Sequence, residues 1–300
     1  MTEQFRVLIL GYGEMGHAME HLLKGRQQLE IWEKYPQDNF QSVVLEDAAP
    51  RADVVLFCLP VNPHREVVKQ IAPLLKDTCL CLSIAKGLDE TGQTAAQIFS
   101  GVLGSQQPYC LLYGPMISEE IRANRYAFAQ LGCGDIDIYN KTRELYRDTR
   151  LYIEHTSDIA GISWSVVLKN VYAMVFGMAD ELQLGDNMRG YLSVAALREL
   201  DQIVRKMGGK AGSPYHLAGL GDLITTATSE DSHHHELGRM LAREEVRGIK
   251  GEGVHTLGMV SSHQLFNTAD YPLFRLIHDI VRFPEGVHDR INEYLKQVYS

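Results

Sequence analysis

Phe5-Arg6-Val7-Leu8-Ile9-Leu10-Gly11-Tyr12-Gly13-Glu14-Met15-Gly16 carries the reading on which the fold turns. Phe5 to Leu10 is a β-branched and leucine run of the kind a buried strand needs, and a helical stretch, His17 to Lys24, follows the last glycine. G-x-G-x-x-G alone says little, but between a strand and a helix it has the context of a dinucleotide-binding turn. Gly11 then makes the tight turn, Gly13 lets a pyrophosphate approach the backbone, and Gly16 lets helix and strand pack closely. Phosphates sit on the N–H groups at such a helix start, which makes Tyr12, Glu14 and Met15 candidate cofactor neighbours as well. A second strand, Leu29 to Trp32, ends on Glu33, about twenty residues past the first glycine, where an acid binds ribose hydroxyls. A carboxylate there repels a 2′-phosphate, so NAD(H) is expected rather than NADP(H). The same residue also reads as a solvated strand-end charge.

Strands and helices alternate onward from that turn. Asp53 to Pro60 reads as a buried strand ending on proline, so Pro60 joins the cofactor candidates at a strand end. Pro63 to Leu75 is an amphipathic helix, Thr78 to Ala85 a strand running into Lys86-Gly87, and Thr91 to Leu103 a helix. Tyr109 to Tyr113 is a strand running into Gly114-Pro115, with strand-like pieces at Tyr126 to Leu131 and Leu151 to Ile153. Such alternation makes an α/β fold with a parallel, doubly wound sheet of Rossmann type, whose strand ends gather ligands at one edge. From Ser157 the pattern turns helical. The expected division is a dinucleotide-binding domain, 1–156, and an all-helical C-terminal domain, 157–300.

Bulk properties bound the partners. Three hundred residues allow two domains, each with its own core. Thirty-eight acids against 29 bases argue against nucleic acid or an anionic membrane as the main partner. The five cysteines are an odd number without metal-site spacing, so reduced thiols in a cytoplasm and no bound metal are expected. The N-terminus is polar and lacks a signal-peptide core.

In the second half, Ile159 to Leu184 is an apolar helical run holding one lysine and one asparagine, Lys169 and Asn170. A helix apolar all round belongs in a core, and Lys169, Asn170, Asp180 and Glu181 make it too polar for a membrane span. A buried ammonium needs a partner, a shifted pKa, or both. A lysine that snorkels to the surface along its stem fits equally well at this point. Further on, Gly219-Leu220-Gly221-Asp222-Leu223 sets an aspartate at a glycine-rich turn, where it can also simply cap a helix.

Lys86-Gly87, Gly114-Pro115, Lys169-Asn170, Leu184-Gly185-Asp186-Asn187-x-Arg189, Gly219 to Leu223 and Gly251-Glu252-Gly253-Val254 form an ordered set. Together they resemble the NAD(P)-dependent glycerol-3-phosphate dehydrogenases over nearly the whole chain. The resemblance implies interconversion of dihydroxyacetone phosphate and sn-glycerol 3-phosphate, a place in glycerophospholipid metabolism, and an active site in a cleft between the two domains. It implies that Lys169 is the catalytic lysine, with Lys86 and Asp222 binding substrate and tuning it. Gly114, Asn170 and Thr226 fall on substrate-side positions and Glu252 on one near the cofactor. A homodimer is expected, because helical second domains of this kind often self-associate.

The chemistry suits those residues. Reducing a ketone places negative charge on its oxygen, and an ammonium both polarises the carbonyl and protonates it. Apolar surroundings are expected to lower the Lys169 pKa from about 10 toward neutrality, with Lys86 pushing the same way and Asp222 opposing.

The chain also departs from the family. Ser232-His233-His234-His235 stands where these enzymes carry Ser-Arg-Asn-Arg to clasp the substrate phosphate, and histidine lacks the permanent bidentate charge of arginine. His233 and His234 are therefore the candidate phosphate ligands, with a solvated loop or a chance metal-binding patch as the alternative. Ala195 replaces the arginine of the family's Thr-Arg-Gly segment, and the loop from Leu241 to Gly251 is shortened. Two other readings stay open: a reductase of another small ketone or oxo acid, and a dinucleotide-binding sensor without turnover.

Overall fold

The computed structural model describes residues 4–37, 39–104, 107–229, 232–245 and 247–300. The chain divides into two compact units, Met1–Asp89 with Gln93–Ile159, and Glu90–Gly92 with Ala160–Ser300.

The first unit is built on seven strands: β1 (Arg6–Leu10), β2 (Gln28–Trp32), β3 (Val54–Phe57), β4 (Leu80–Ser83), β5 (Tyr109–Tyr113), β6 (Ala127–Gly132) and β7 (Leu151–Thr156). Between them run α1 (Glu14–Leu23), α2 (Leu45–Ala48), α3 (His64–Ile71), α4 (Ala95–Leu103), α5 (Ser118–Arg122) and α6 (Ile136–Leu145). The sheet order is β2-β1-β3-β4-β5-β6-β7. Strand side chains alternate between two cores, as the two-residue period requires. Val7 and Ile9 of β1 pack with α1 residues Met19, Leu22 and Leu23, whereas Leu8 and Leu10 pack with Val67, Val68, Ile71 and Phe99 of α3 and α4. Burial on both faces explains why β3 reads as an unbroken apolar run.

Two local features differ from the sequence expectation. The sheet is mixed, because β6 runs antiparallel to β5, with Leu111 opposite Gly132 and Tyr113 opposite Gln130. The five residues of α5 span only about 7 Å, roughly half the length of β5, so the chain cannot return to the start of the sheet. It turns instead through left-handed Asn124 (φ 56°) and re-enters from the end it left. The helix expected from Thr91 starts at Ala95, since Thr94 is its N-cap in a capping box with Gln97.

The second unit is helical: α7 (Ile159–Glu181), α8 (Gly185–Lys206), α9 (Asp222–Thr228), α10 (His233–Ala242), α11 (Glu252–His263), α12 (Pro272–Arg282) and α13 (Val287–Tyr299). α7 is long and apolar enough to cross a membrane, yet 89% of its most apolar window is buried inside the protein. It is the unit's core helix. Glu199 of α8 ties this core together, accepting from Leu273 N (2.7 Å) and Phe274 N (2.8 Å) at the start of α12 and from Tyr172 Oη of α7 (2.9 Å). The Glu199 oxygens satisfy helix-end N–H groups that would otherwise be buried without acceptors. Burial pushes the Glu199 carboxyl up, against the pull of its three donors.

Candidate active site

In the first unit the turn after β1 has the expected shape. Gly11 takes a left-handed φ of 93°, and a Cβ on Gly16 would lie 2.2 Å from Gly11 O, so α1 starts pressed against the turn. A Cβ on Gly13 would meet nothing within 4 Å, which leaves open space beside the backbone where a pyrophosphate belongs. Gly13 caps α1 without a side-chain bond, the arrangement that presents helix-start N–H groups to an anion. Glu33 ends the second strand and accepts from Tyr12 N (2.7 Å) and Tyr35 N (3.1 Å). It is thus bonded to the glycine turn itself. The Tyr12 ring stacks on Phe40 at 4.5 Å, and its hydroxyl donates to Glu20 (2.5 Å). Burial, then the Glu20 carboxylate, pushes that hydroxyl up to about 12. Of the two remaining turn candidates, Met15 packs into the core and Glu14 pairs with Arg122 at 3.2 Å. These features fit a dinucleotide.

Pro60 is held by a residue that sequence reading passed over. His64 Nδ1 donates to Pro60 O (2.8 Å), and its Nε2 meets Ser83 Oγ at 2.9 Å. Because a carbonyl only accepts, the proton is on Nδ1 and Ser83 donates to Nε2. Burial lowers the His64 pKa to about 4. With a depressed folded value, the stability this neutral ring carries is present above the unfolded pKa, near 6.5, and is lost as pH falls toward 4. Urea unfolding of the native chain at pH 7.5 and pH 5 is expected to show a loss of about 2 kcal/mol from this group. His64→Asn keeps a donor for Pro60 and removes the titration. A pH slope as steep in that variant as in the native chain counts against the assignment.

Further along the strand ends, Lys86 Nζ donates to Gly114 O at 3.4 Å, and Tyr113 Oη donates to Ala85 O at 2.9 Å. Two of the substrate-side candidates of this unit, Lys86 and Gly114, therefore meet.

In the second unit Lys169 is 4% exposed and Asn170 1%. The snorkelling alternative is thereby excluded. Lys169 Nζ donates to Thr226 Oγ1 (2.5 Å) and lies 3.3 Å from Asp222 Oδ1. Asp222 and Thr226 stand four residues apart on α9, which puts both on one face of the helix toward α7. Thr226 Oγ1 in turn donates to Asp222 O (2.7 Å), fixing its lone pairs toward the ammonium. The cap position of α9 falls on Gly221, and the Asp222 carboxylate pairs with the lysine. One π-helical turn, Leu217–Gly221, leads into α9, an irregularity common at functional sites. Asn170 Nδ2 donates to Glu252 Oε2 (3.0 Å) at the start of α11, which orients the amide, and its buried Oδ1 has no partner among the described residues.

The histidine run is bonded to its own chain. His233 Nε2 donates to Lys250 O (2.7 Å), and His235 Nε2 donates to Asp180 (2.8 Å). His234 Nε2 accepts from Gly253 N (3.2 Å), so it is the ring's unprotonated nitrogen. His234 and Asn170 both flank Gly253: a Cβ there would touch Asn170 O and the His234 ring. Among the described residues, no group of three or more histidine, cysteine, aspartate or glutamate side chains is arranged to hold a metal ion.

Comparison with known proteins gives the family and the fold. Residues 34–138 match the family model for the NAD-dependent glycerol-3-phosphate dehydrogenase N-terminus, and 158–291 that for the C-terminus. The chain is 34% identical over 324 residues to glycerol-3-phosphate dehydrogenase (NAD(P)+) 1 of Mycobacterium tuberculosis, covering 98% of this chain and 95% of that one. It is 26% identical to the glycerol-3-phosphate dehydrogenase (NAD(P)+) of Nitratidesulfovibrio vulgaris, covering 97% and 98%. A crystal structure of glycerol-3-phosphate dehydrogenase from Coxiella burnetii superposes with a TM-score of 0.84 at 22% identity, covering 97% and 99%, which establishes the shared fold.

Proposed function

Because the chain belongs to the NAD-dependent glycerol-3-phosphate dehydrogenase family, we propose that it interconverts dihydroxyacetone phosphate and sn-glycerol 3-phosphate, with Lys169 as proton donor and acceptor. The observation that carries this reading is the buried Lys169, held by Asp222 and Thr226. When bound, NADH supplies the hydride that reduces the ketone carbon. The protein's own task is the oxygen. Lys169 Nζ polarises the carbonyl and passes it a proton, and the neutral amine is reprotonated from solvent before the next turnover. Asp222 keeps the ammonium charged until that transfer, and Thr226 fixes its direction. Asn170 Oδ1 serves as acceptor for a substrate hydroxyl, and Lys86 draws the phosphate toward Gly114. Gly11 to Gly16 and Glu33 hold the dinucleotide, with Pro60 and Glu252 beside it.

A second reading, a reductase of another small ketone, is favoured by one observation. The Nε2 atoms of His233, His234 and His235 are all bonded within the chain, so the run does not reproduce an arginine clasp. NADH consumption with dihydroxyacetone phosphate, set beside a panel of unphosphorylated ketones, separates the two. Turnover with the phosphorylated ketone alone is the expected result. A faster unphosphorylated substrate moves the assignment to the second reading, and no turnover with any ketone overturns both.

A further inference from the structure

The helical unit holds a cavity of about 600 Å³, walled by parts of α7, α8, α9 and α10. That volume is in the range of small-ligand pockets. Phe176, Leu220, Leu223, Ile224 and Ala227 form its apolar side. Its charged side is unevenly paired. Asp180 accepts from Arg189 Nε (2.6 Å) and His235 Nε2 (2.8 Å). Burial pushes the Asp180 carboxyl up, and Arg189 and His235 overcome it, holding the group below the usual carboxylate range. Glu236 accepts from Arg243 Nη2 (2.9 Å). Both acids lining the cavity therefore have cations of their own, and Arg239 is not among them. The Arg239 Nε lies buried without a hydrogen-bond partner among the described residues. A guanidinium N–H buried without an acceptor is costly, and a planar donor fork suits a carboxylate or phosphate.

We propose that this cavity binds an amphipathic anion, its carboxylate or phosphate head on Arg239 and a short hydrocarbon tail against the apolar wall. The occupant is felt at Lys169, because Leu223, Ile224 and Ala227 wall the cavity from the same short helix whose Asp222 and Thr226 hold that lysine. The binding does not depend on the dehydrogenase assignment, whereas its effect on turnover rests on it.

Isothermal titration calorimetry of the full chain with octanoate, octyl phosphate, 1-octanol and inorganic phosphate tests the site. One saturable site for octanoate or octyl phosphate is expected, with octanol and inorganic phosphate at least tenfold weaker, and the tighter head group identifies the chemistry. Arg239→Gln should weaken the binding at least tenfold with a melting temperature no lower than that of the native chain. Ile224→Trp, which fills the cavity from a half-exposed position, should abolish it. Octanol binding as well as octanoate, or full affinity in both variants, overturns the site. In NADH oxidation the saturating probe should shift kcat or KM at least twofold in the native chain and not in Arg239→Gln. Calorimetric binding without any kinetic shift keeps the site and overturns the coupling.

Discussion

Replacing Lys169 by glutamine is expected to lower kcat about a thousandfold while NADH still binds. One positioned proton donor contributes about 10²–10⁴ to a rate, and the oxygen of the ketone has no substitute donor of comparable acidity once the ammonium is gone. Glutamine is chosen over alanine for a structural reason. Alanine takes from Asp222, 3% exposed, the ammonium 3.3 Å away, and breaking a buried ion pair costs about 3–5 kcal/mol, enough to confuse inactivity with unfolding. The glutamine amide keeps donors within reach of Asp222 and Thr226. Lys169→Arg sharpens the test, because a guanidinium keeps the positive charge but does not give up a proton near neutral pH. Arginine should therefore be as inactive as glutamine if proton transfer is the lysine's task. NADH affinity, read by fluorescence titration, should stay within a few-fold in both, since the glycine turn and Glu33 belong to the other compact unit. A folded glutamine variant that loses NADH binding, or an arginine variant with native turnover, sinks the proton-donor role.

How much of the fold and the site is legible in the sequence depends on how far apart the deciding residues lie. The strand, glycine turn and helix from Phe5 to Gly16 are local, and β1 and α1 form within them. Lys169 stood out because a single cation interrupts an apolar helix, and the need for a partner followed from burial cost. The partner's identity came only by resemblance, since 53 residues separate Lys169 from Asp222 (222 − 169) and no periodicity joins them. The Glu199 clamp on α12 is of the same kind, reaching across 74 residues to Leu273 N. Reversal of β6 depended on the length of α5, which apolar patterning does not set. The histidine run was visible as a departure from the family, but its direction was not. Whether those rings face a ligand or their own chain is decided by Lys250, Gly253 and Asp180, all contributed by other segments.

Cofactor choice is expected to follow Glu33. Its carboxylate accepts from Tyr12 N and Tyr35 N at the mouth of the glycine turn, and the first of these bonds places it where the adenosine ribose of a bound dinucleotide belongs. With NADH bound, the remaining lone pairs would accept ribose hydroxyls. NADPH loses the charge-assisted bond of the 2′-hydroxyl, worth about 1.5–3 kcal/mol, and sets a phosphate against a carboxylate, so discrimination of about 10³ in kcat/KM is expected. Glu33→Ser should lower that ratio to within about tenfold of unity, mostly by improving NADPH. Serine also removes the support of Tyr12 N, so NADH turnover should fall in the same variant. Glu33→Gln separates these effects. The amide oxygen still accepts from the turn while the negative charge is gone, so NADH turnover should be largely kept and the rejection of NADPH relaxed. An unchanged NADH-to-NADPH ratio in both variants means that Glu33 only braces the turn, and selectivity must then be sought elsewhere along the strand ends.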